Sequence, residues 1–376
     1  MLQIVLLKSA FLSSLSASGD GELATVLGHA PAEYVKMACR GAHWSLSTAL
    51  EFAAHPTDEV FVVSEAAVGL TEDLLYRFAG STQDVLEDFQ GRVGAVHVVG
   101  EAIAALTEDP EADFDTFYQH WLDWKAPGEA DPVIDELIMD APVVDSLLML
   151  QLAEKQVAQQ ICYDWMEKGV RIDEPTLCRI APEVTIGGGT HITGSVRILG
   201  KSVIGKHCRI TDGSEVLSST LGDGVTVWHS VIESSEMEDA SNIGPYSHLR
   251  PQAKIGKGVH IGNFVEVKKA TLGEGTKAGH LAYIGDATLG ADVNVSCGVI
   301  FCNYDGKAKH QATIGDHVFL GSNANVVSPV TIADDAFVAA GSTVTKDVTK
   351  GALAVERAEQ KNIEGYVAKR KAKGTL

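Results

Sequence analysis

No stretch of about 18 consecutive apolar residues occurs in this 376-residue chain, so the sequence offers no helix fit to cross a bilayer. Paired cysteines are missing too. Cys39, Cys162, Cys178, Cys208, Cys297 and Cys302 are irregularly spaced with no CxxC among them, which fits unbridged thiols in a reducing cytoplasm. The opening Met1–Leu15 is apolar and Ser-rich, but Lys8 is its one charge. With no basic region ahead of the apolar stretch and no small-x-small cleavage site, it reads as a buried strand and turn rather than a signal peptide. Positive charge is scarce in the first half: residues 1–150 carry 6 Lys and Arg against 25 Asp and Glu, whereas residues 151–376 carry 24 against 25. Nearly all of the net charge of −20 therefore lies in the first domain. Such a surface repels nucleic acid and gathers no phosphates, while the balanced second half leaves room for local basic pockets.

What the chain does have is a repeat. From residue 186 a branched aliphatic recurs every sixth position: Ile186, Ile192, Ile198, Ile204, Ile210 and Val216. The register slips by one at Leu221, resumes at Val227 and slips again at Ile232 and Met237. It then runs Ile243, Leu249, Ile255, Ile261, Val267 and, after further slips, Ile314, Leu320, Val326, Ile332, Val338, Val344. Period six matches neither a helix nor an ordinary strand. It predicts a solenoid of short strands and turns, three units to a triangular coil, with the aliphatics stacked inward and glycine at turns. This is a left-handed parallel β-helix. The repeat is suspended at Cys302–Ala312, an insertion expected to leave the coil as a loop on a binding face. Ahead of the repeat, Val144–Lys168 reads as a helix ended by Gly169. Val60–Val63 and Val93–Val99 read as strands and Thr71–Phe78 as a helix, hence an α/β first domain. The repeat by itself leaves an inactive scaffold possible, since fold does not fix function.

Longer motifs narrow this. Gly244-Pro-Tyr-Ser-His-Leu-Arg-Pro251 is followed by His260-Ile-Gly-Asn-Phe-Val-Glu-Val-Lys-Lys269, His280-Leu-Ala-Tyr-Ile-Gly-Asp286, Cys302-Asn-Tyr-Asp-Gly306 and Gly351-Ala-Leu-Ala-Val-Glu-Arg357. Residues 143–366 thereby resemble the acetyltransferase half of the bacterial bifunctional glucosamine-1-phosphate N-acetyltransferase and N-acetylglucosamine-1-phosphate uridyltransferase family. The resemblance implies an acetyl-CoA-dependent transfer to the amine of glucosamine-1-phosphate, with no metal for that step, in a cytoplasmic homotrimer with no nucleic-acid or membrane partner. Acetylating an amine requires a base working near neutral pH, a task suited to histidine, and the family's base matches His280. Arg250 and Lys268 lie 18 residues apart, one full coil, so they are expected to stack on one face as a phosphate clamp. The resemblance adds Tyr283 and Lys309 to that clamp. It assigns Asn294 and Asn303 to the sugar and its amine, Ser322 to catalysis near the thioester, where a donor could stabilise the tetrahedral oxyanion, and Cys297, Ser322, Ala340 and Arg357 to the coenzyme. Glu266 is expected to hold either the sugar or the histidine. At Asn294-Val-Ser-Cys-Gly298 the chain departs from the family's Asn-Ile-Gly-Ala-Gly, so altered coenzyme affinity is expected. A catalytic role for the Cys297 or Cys302 thiol is not expected, because neither has a basic neighbour in the sequence.

The expected organisation is a truncated, nucleotidyltransferase-like α/β domain at 1–142, a helical arm and linker at 143–178, the β-helix at 179–349 and a tail at 350–376. The basic segment Lys361–Lys373 is expected either to reach a neighbour or the coenzyme's phosphates or to be solvated. Uridylyltransfer is expected to be lost. Lys8-Ser-Ala-Phe-Leu stands where the family has a glycine-rich phosphate loop, Ala66 where it has a metal-binding Asp, and Leu147 where it has a metal-binding Asn, and phosphoryl transfer needs both cradle and magnesium. Gly41–Ala49 resembles the segment carrying the family's Gly-Thr-Gly-His-Ala signature. Three other readings stay open: another amino-sugar phosphate or nucleotide sugar as acceptor, a silent scaffold or regulatory partner, and a zinc enzyme using His280, His310 and His317, which lack the close pair such a site needs.

Overall fold

The structure, a computed structural model, describes residues 2–17, 25–27, 30–41, 45–47, 59–68, 70–99, 103, 106, 112–126, 134, 136–139 and 142–375. It divides into two compact units, residues 1–184 with 198–200, and residues 185–197 with 201–376. The segment Gly41–Ala49 lies largely outside the described residues.

The first unit is α/β. Its strands are β1 (Leu2–Leu7), β2 (Ser45–Ser47), β3 (Glu59–Ser64), β4 (Val85–Glu87), β5 (Val93–Val99) and β6 (Glu136–Ile138), in the order β2-β1-β3-β5-β4-β6. β1 runs parallel to β2 and β3, and β5 runs antiparallel to β3 and β4. Strand alternation splits the core in two. Ile4, Leu6, Phe61 and Val63 pack with residues of α1 (Ala10–Ala17), α2 (Pro31–Gly41), α3 (Glu72–Ala79) and α5 (Leu147–Glu167). Val5, Leu7, Val60 and Val62 meet Phe114, Phe117 and Trp121 of α4 (Phe114–Lys125). The arm helix α5 starts three residues later than the apolar pattern suggests, because Ser146 caps it: its hydroxyl accepts the Met149 N–H at 3.3 Å. It stops ahead of Gly169, whose φ of +87° only glycine adopts cheaply.

The second unit is a hexapeptide-repeat left-handed β-helix. Three inward ladders run its length, each rung pairing in parallel with the next coil. The first passes through Ile243, Ile261, Ala278, Val295, Leu320 and Val338. The second passes through Ile232, Leu249, Val267 and Ile284, then Phe301, Val326 and Val344. The third runs Ile204, Leu221, Met237, Ile255, Leu272, Leu289, Ile314 and Ile332. These side chains are almost wholly buried, each Ile, Leu or Val contributing about 1.5–3 kcal/mol by leaving water. The one-residue slips in the sequence are therefore five-residue rungs that leave the ladders intact. Slips at Leu221, Met237, Leu272 and Leu289 all fall on the edge between the second and third ladders. The insertion leaves from the same edge, and pairing resumes at once with Ala287 opposite Ala312. Buried hydroxyls tie the corners: Ser247 Oγ donates to Gly262 O at 2.6 Å and accepts from Val265 N at 2.8 Å.

Candidate active site

The corner after the first ladder gathers the first group of residues. Ala278, Val295, Leu320 and Val338 are successive rungs, so the residues two positions on, His280, Cys297, Ser322 and Ala340, form one column up the edge. Backbone bonds carry the register round the corner, with Asn323 N–H donating to Cys297 O and Gly341 N–H to Ser322 O, each at 2.8 Å. The next residue in each coil is left-handed, with φ of +52° at Leu281, +76° at Gly298, +56° at Asn323 and +74° at Gly341. This sharp bend exposes His280, Ser322 and Ala340. Parallel strands lie about 4.8 Å apart, so Cys297, Ser322 and Ala340 stand about 5, 10 and 14 Å above His280. Arg357 joins the top of the column, its Nη1 donating to Ala340 O at 2.9 Å.

The second group lies on the next face. Leu249 pairs with Val267, which puts Arg250 and Lys268 one above the other. Lys309 reaches the same place from the inserted loop. It and Arg250 are the main reasons, in that order, that the Lys268 ammonium loses its proton more readily than an ordinary lysine. Glu266 Oε1 accepts from Arg250 Nη1 at 2.7 Å and holds that guanidinium more firmly charged than usual. The partner of Glu266 among the described residues is thus Arg250. Asn303 is buried, with its Nδ2 donating to Asp286 Oδ2 at 2.6 Å and to Tyr283 Oη at 3.3 Å. The loop braces itself: Asp305 accepts from Lys307 N and Ala308 N, both at 2.7 Å, and pairs with His310 Nε2 at 2.7 Å. Those contacts hold the Asp305 carboxyl well below the usual range.

The geometry brings Arg250, Lys268, Tyr283, Asn303 and Lys309 together, and His280 with Cys297, Ser322, Ala340 and Arg357. Tyr283 links the groups, following His280 by three residues round the left-handed bend at Leu281. Asn294 stands apart on the first face, donating from Nδ2 to Ser296 Oγ at 3.0 Å. His310 pairs with Asp305, and His317 Nδ1 with Asp335 at 3.3 Å. Two features escaped the sequence reading. Asp286 is a partner of Asn303, and Cys297 has a histidine one coil below it that linear spacing hides.

The half-buried Cys297 thiol is partly open to an alkylating reagent. We expect iodoacetamide to abolish whatever turnover the column supports. Cys297→Ala should remain active and resist the reagent, whereas Cys302→Ala should stay sensitive. Equal protection by Cys302→Ala would contradict the placement.

A family model for hexapeptide repeats agrees with this architecture. The family described as bacterial transferase hexapeptide (six repeats) matches residues 234–269 and 311–346. The bifunctional protein GlmU of Latilactobacillus sakei subsp. sakei (strain 23K) is 50% identical over 226 residues, covering 60% of this chain and 49% of that protein. That of Limosilactobacillus reuteri (strain DSM 20016) is 52% identical over 226 residues, covering 60% and 50%. Among solved structures, an Arabidopsis UDP-N-acetylglucosamine acyltransferase has a TM-score of 0.34 and 17% identity, over 53% of this chain and 76% of that one. The chain spans about half the length of the curated relatives it matches. Two stretches of its coil match the bacterial transferase hexapeptide family, and the C-terminal part of the chain is similar to the proteins named GlmU.

Proposed function

We propose that this chain transfers the acetyl group of acetyl-CoA to the amine of glucosamine-1-phosphate, giving N-acetylglucosamine-1-phosphate. The observation that carries the reading is a cationic cluster, Arg250, Lys268 and Lys309, beside Tyr283, three residues on from His280 in the edge column. The cluster suits a phosphate dianion, and Tyr283 brings a hydroxyl beside it. The corner residues Cys297, Ser322 and Ala340 are small, so the edge above His280 is a narrow track suited to an extended thioester arm, with Arg357 at its far end to meet negative charge. When bound, acetyl-CoA supplies the activated acyl group.

The chain's own residues do the rest. His280 takes a proton from the amine as its nitrogen attacks, and afterwards returns that proton to the departing sulfur. Asn303 holds the amine, and Arg250 and Lys268 hold the phosphate. Ser322 stands about 10 Å above His280 within one copy of the chain. In a site shared between copies its hydroxyl can lie near the thioester, where it donates to the tetrahedral oxyanion. We place the sites in a cytoplasmic homotrimer, shared between copies. Sedimentation of the active enzyme at one chain mass, 39.9 kDa, would refute the shared site. Among the described residues no helix is long and apolar enough to cross a membrane.

For the first unit we propose no uridylyltransfer. Ala66 is buried and Leu147 exposed where the resembling family has metal ligands, and Ser9 N–H, just after β1, donates to the Glu65 carboxylate at 3.0 Å. A carboxylate there opposes a phosphate. The test is one paired assay. Acetyl-CoA with glucosamine-1-phosphate should release coenzyme thiol, and glucose-1-phosphate should release none. UTP, magnesium and N-acetylglucosamine-1-phosphate should yield no pyrophosphate. Absence of thiol release defeats the acetyl-transfer reading, and pyrophosphate defeats the second.

A further inference from the structure

We propose that Asp286 is a positioning residue: its carboxylate decides which end of the Asn303 amide faces the acceptor's amine and, through that amide, which way the Tyr283 hydroxyl donates. This rests on the amino-sugar reading above.

Asp286 Oδ2 lies 2.6 Å from Asn303 Nδ2. An ionised carboxylate only accepts hydrogen bonds, so the amide must present its NH2 group to it. The same nitrogen donates to Tyr283 Oη at 3.3 Å. Both donors of the amide are thereby engaged, and Oδ1 is the end offered to an incoming N–H. The tyrosine oxygen already accepts, so its own proton is free to be donated to a phosphate oxygen held by Lys268 and Lys309. The direction of every bond in the chain Asp286, Asn303, Tyr283 and phosphate follows from one carboxylate.

The scaffold holds these groups in place. Asn303 is 7% exposed. Its backbone N–H donates to Phe301 O at 3.0 Å and its carbonyl accepts from His310 N at 2.8 Å. Space for the cluster comes from Gly285, where an added Cβ would lie 2.6 Å from Tyr283 Cζ and 2.7 Å from Asn303 Nδ2. Asp286 itself has φ +47°, a conformation that asparagine and glycine also accept. Two low-strain variants are therefore available.

Asp286→Gly removes the carboxylate and leaves the amide free to turn. We expect kcat for glucosamine-1-phosphate to fall about 30-fold, the scale of one hydrogen bond to a charged group, while KM changes less than about 5-fold because Arg250, Lys268 and Lys309 still hold the phosphate and Tyr283 loses only the direction of its hydroxyl. Inhibition by 2-deoxyglucose-1-phosphate, which has no donor at the reacting position, should likewise change less than about 5-fold. Asp286→Asn keeps an acceptor oxygen without the charge, and should recover kcat to within about 5-fold of wild type. A purely electrostatic effect on Lys268 would instead alter inhibitor binding beyond that range and resist rescue by the neutral variant. Wild-type kcat in Asp286→Gly, or no recovery in Asp286→Asn, overturns the proposal alone. A wild-type enzyme that acetylates no amino-sugar phosphate overturns the proposal together with the reading beneath it.

Discussion

Replacing His280 with alanine lowers kcat and kcat/KM about a thousand-fold while leaving KM for both substrates within a few-fold. That magnitude is the range of a positioned acid–base group, and the pattern is that of an interaction made in the transition state rather than in binding. The side chain is exposed at the corner, and its removal leaves the buried ladders untouched, so the variant should melt with the wild type. A variant that keeps its rate would remove His280 from the chemistry.

Replacing Lys268 with alanine has the complementary signature. KM for glucosamine-1-phosphate should rise about 30- to 100-fold, the scale expected of a charge-assisted contact to phosphate, with kcat changed less than about 3-fold. The pH dependence has a definite sign. Crowding by Lys309 and then Arg250 lowers the Lys268 pKa, so as pH rises this ammonium is lost before an ordinary lysine would be. An anion binds the charged form. Wild-type KM should therefore start to climb on the alkaline side earlier than a normal lysine predicts, and Lys268→Ala should lack that climb. Initial rates across pH in the two proteins measure both. An unchanged KM in the variant would place the phosphate elsewhere.

The fold was largely legible from the chain because inward aliphatics at period six leave little architectural choice. The slips at Leu221 and Leu272 were visible as irregularities, but only the stacked rungs explain them as shortened corners. Coil arithmetic worked for Arg250 and Lys268, which are separated by a full 18 residues. It was silent elsewhere, because the separation is 17 from His280 to Cys297 and 25 from Cys297 to Ser322. A five-residue rung shortens the first interval and the insertion lengthens the second. No fixed spacing could bring His280 under Cys297 or Asp286 beside Asn303. In the first unit, Val60–Val63 and Val93–Val99 were readable as continuous apolar runs, whereas Val85–Glu87 and Glu136–Ile138 are three residues each, too short for periodicity to register.

The edge column has a consequence for how such a protein can change. Positions along it are graduated in whole coils, so the height of Arg357's anchor at Ala340 above His280 cannot be trimmed by a point substitution. It moves only in steps of about 4.8 Å, when an entire turn is gained or lost. Lys309 is under no such restriction: its loop departs and returns without disturbing the rungs on either side. Reach along the axis is thus stepwise, while reach across the face is continuously adjustable, and divergence among relatives should accumulate in the loop long before it alters the count of turns.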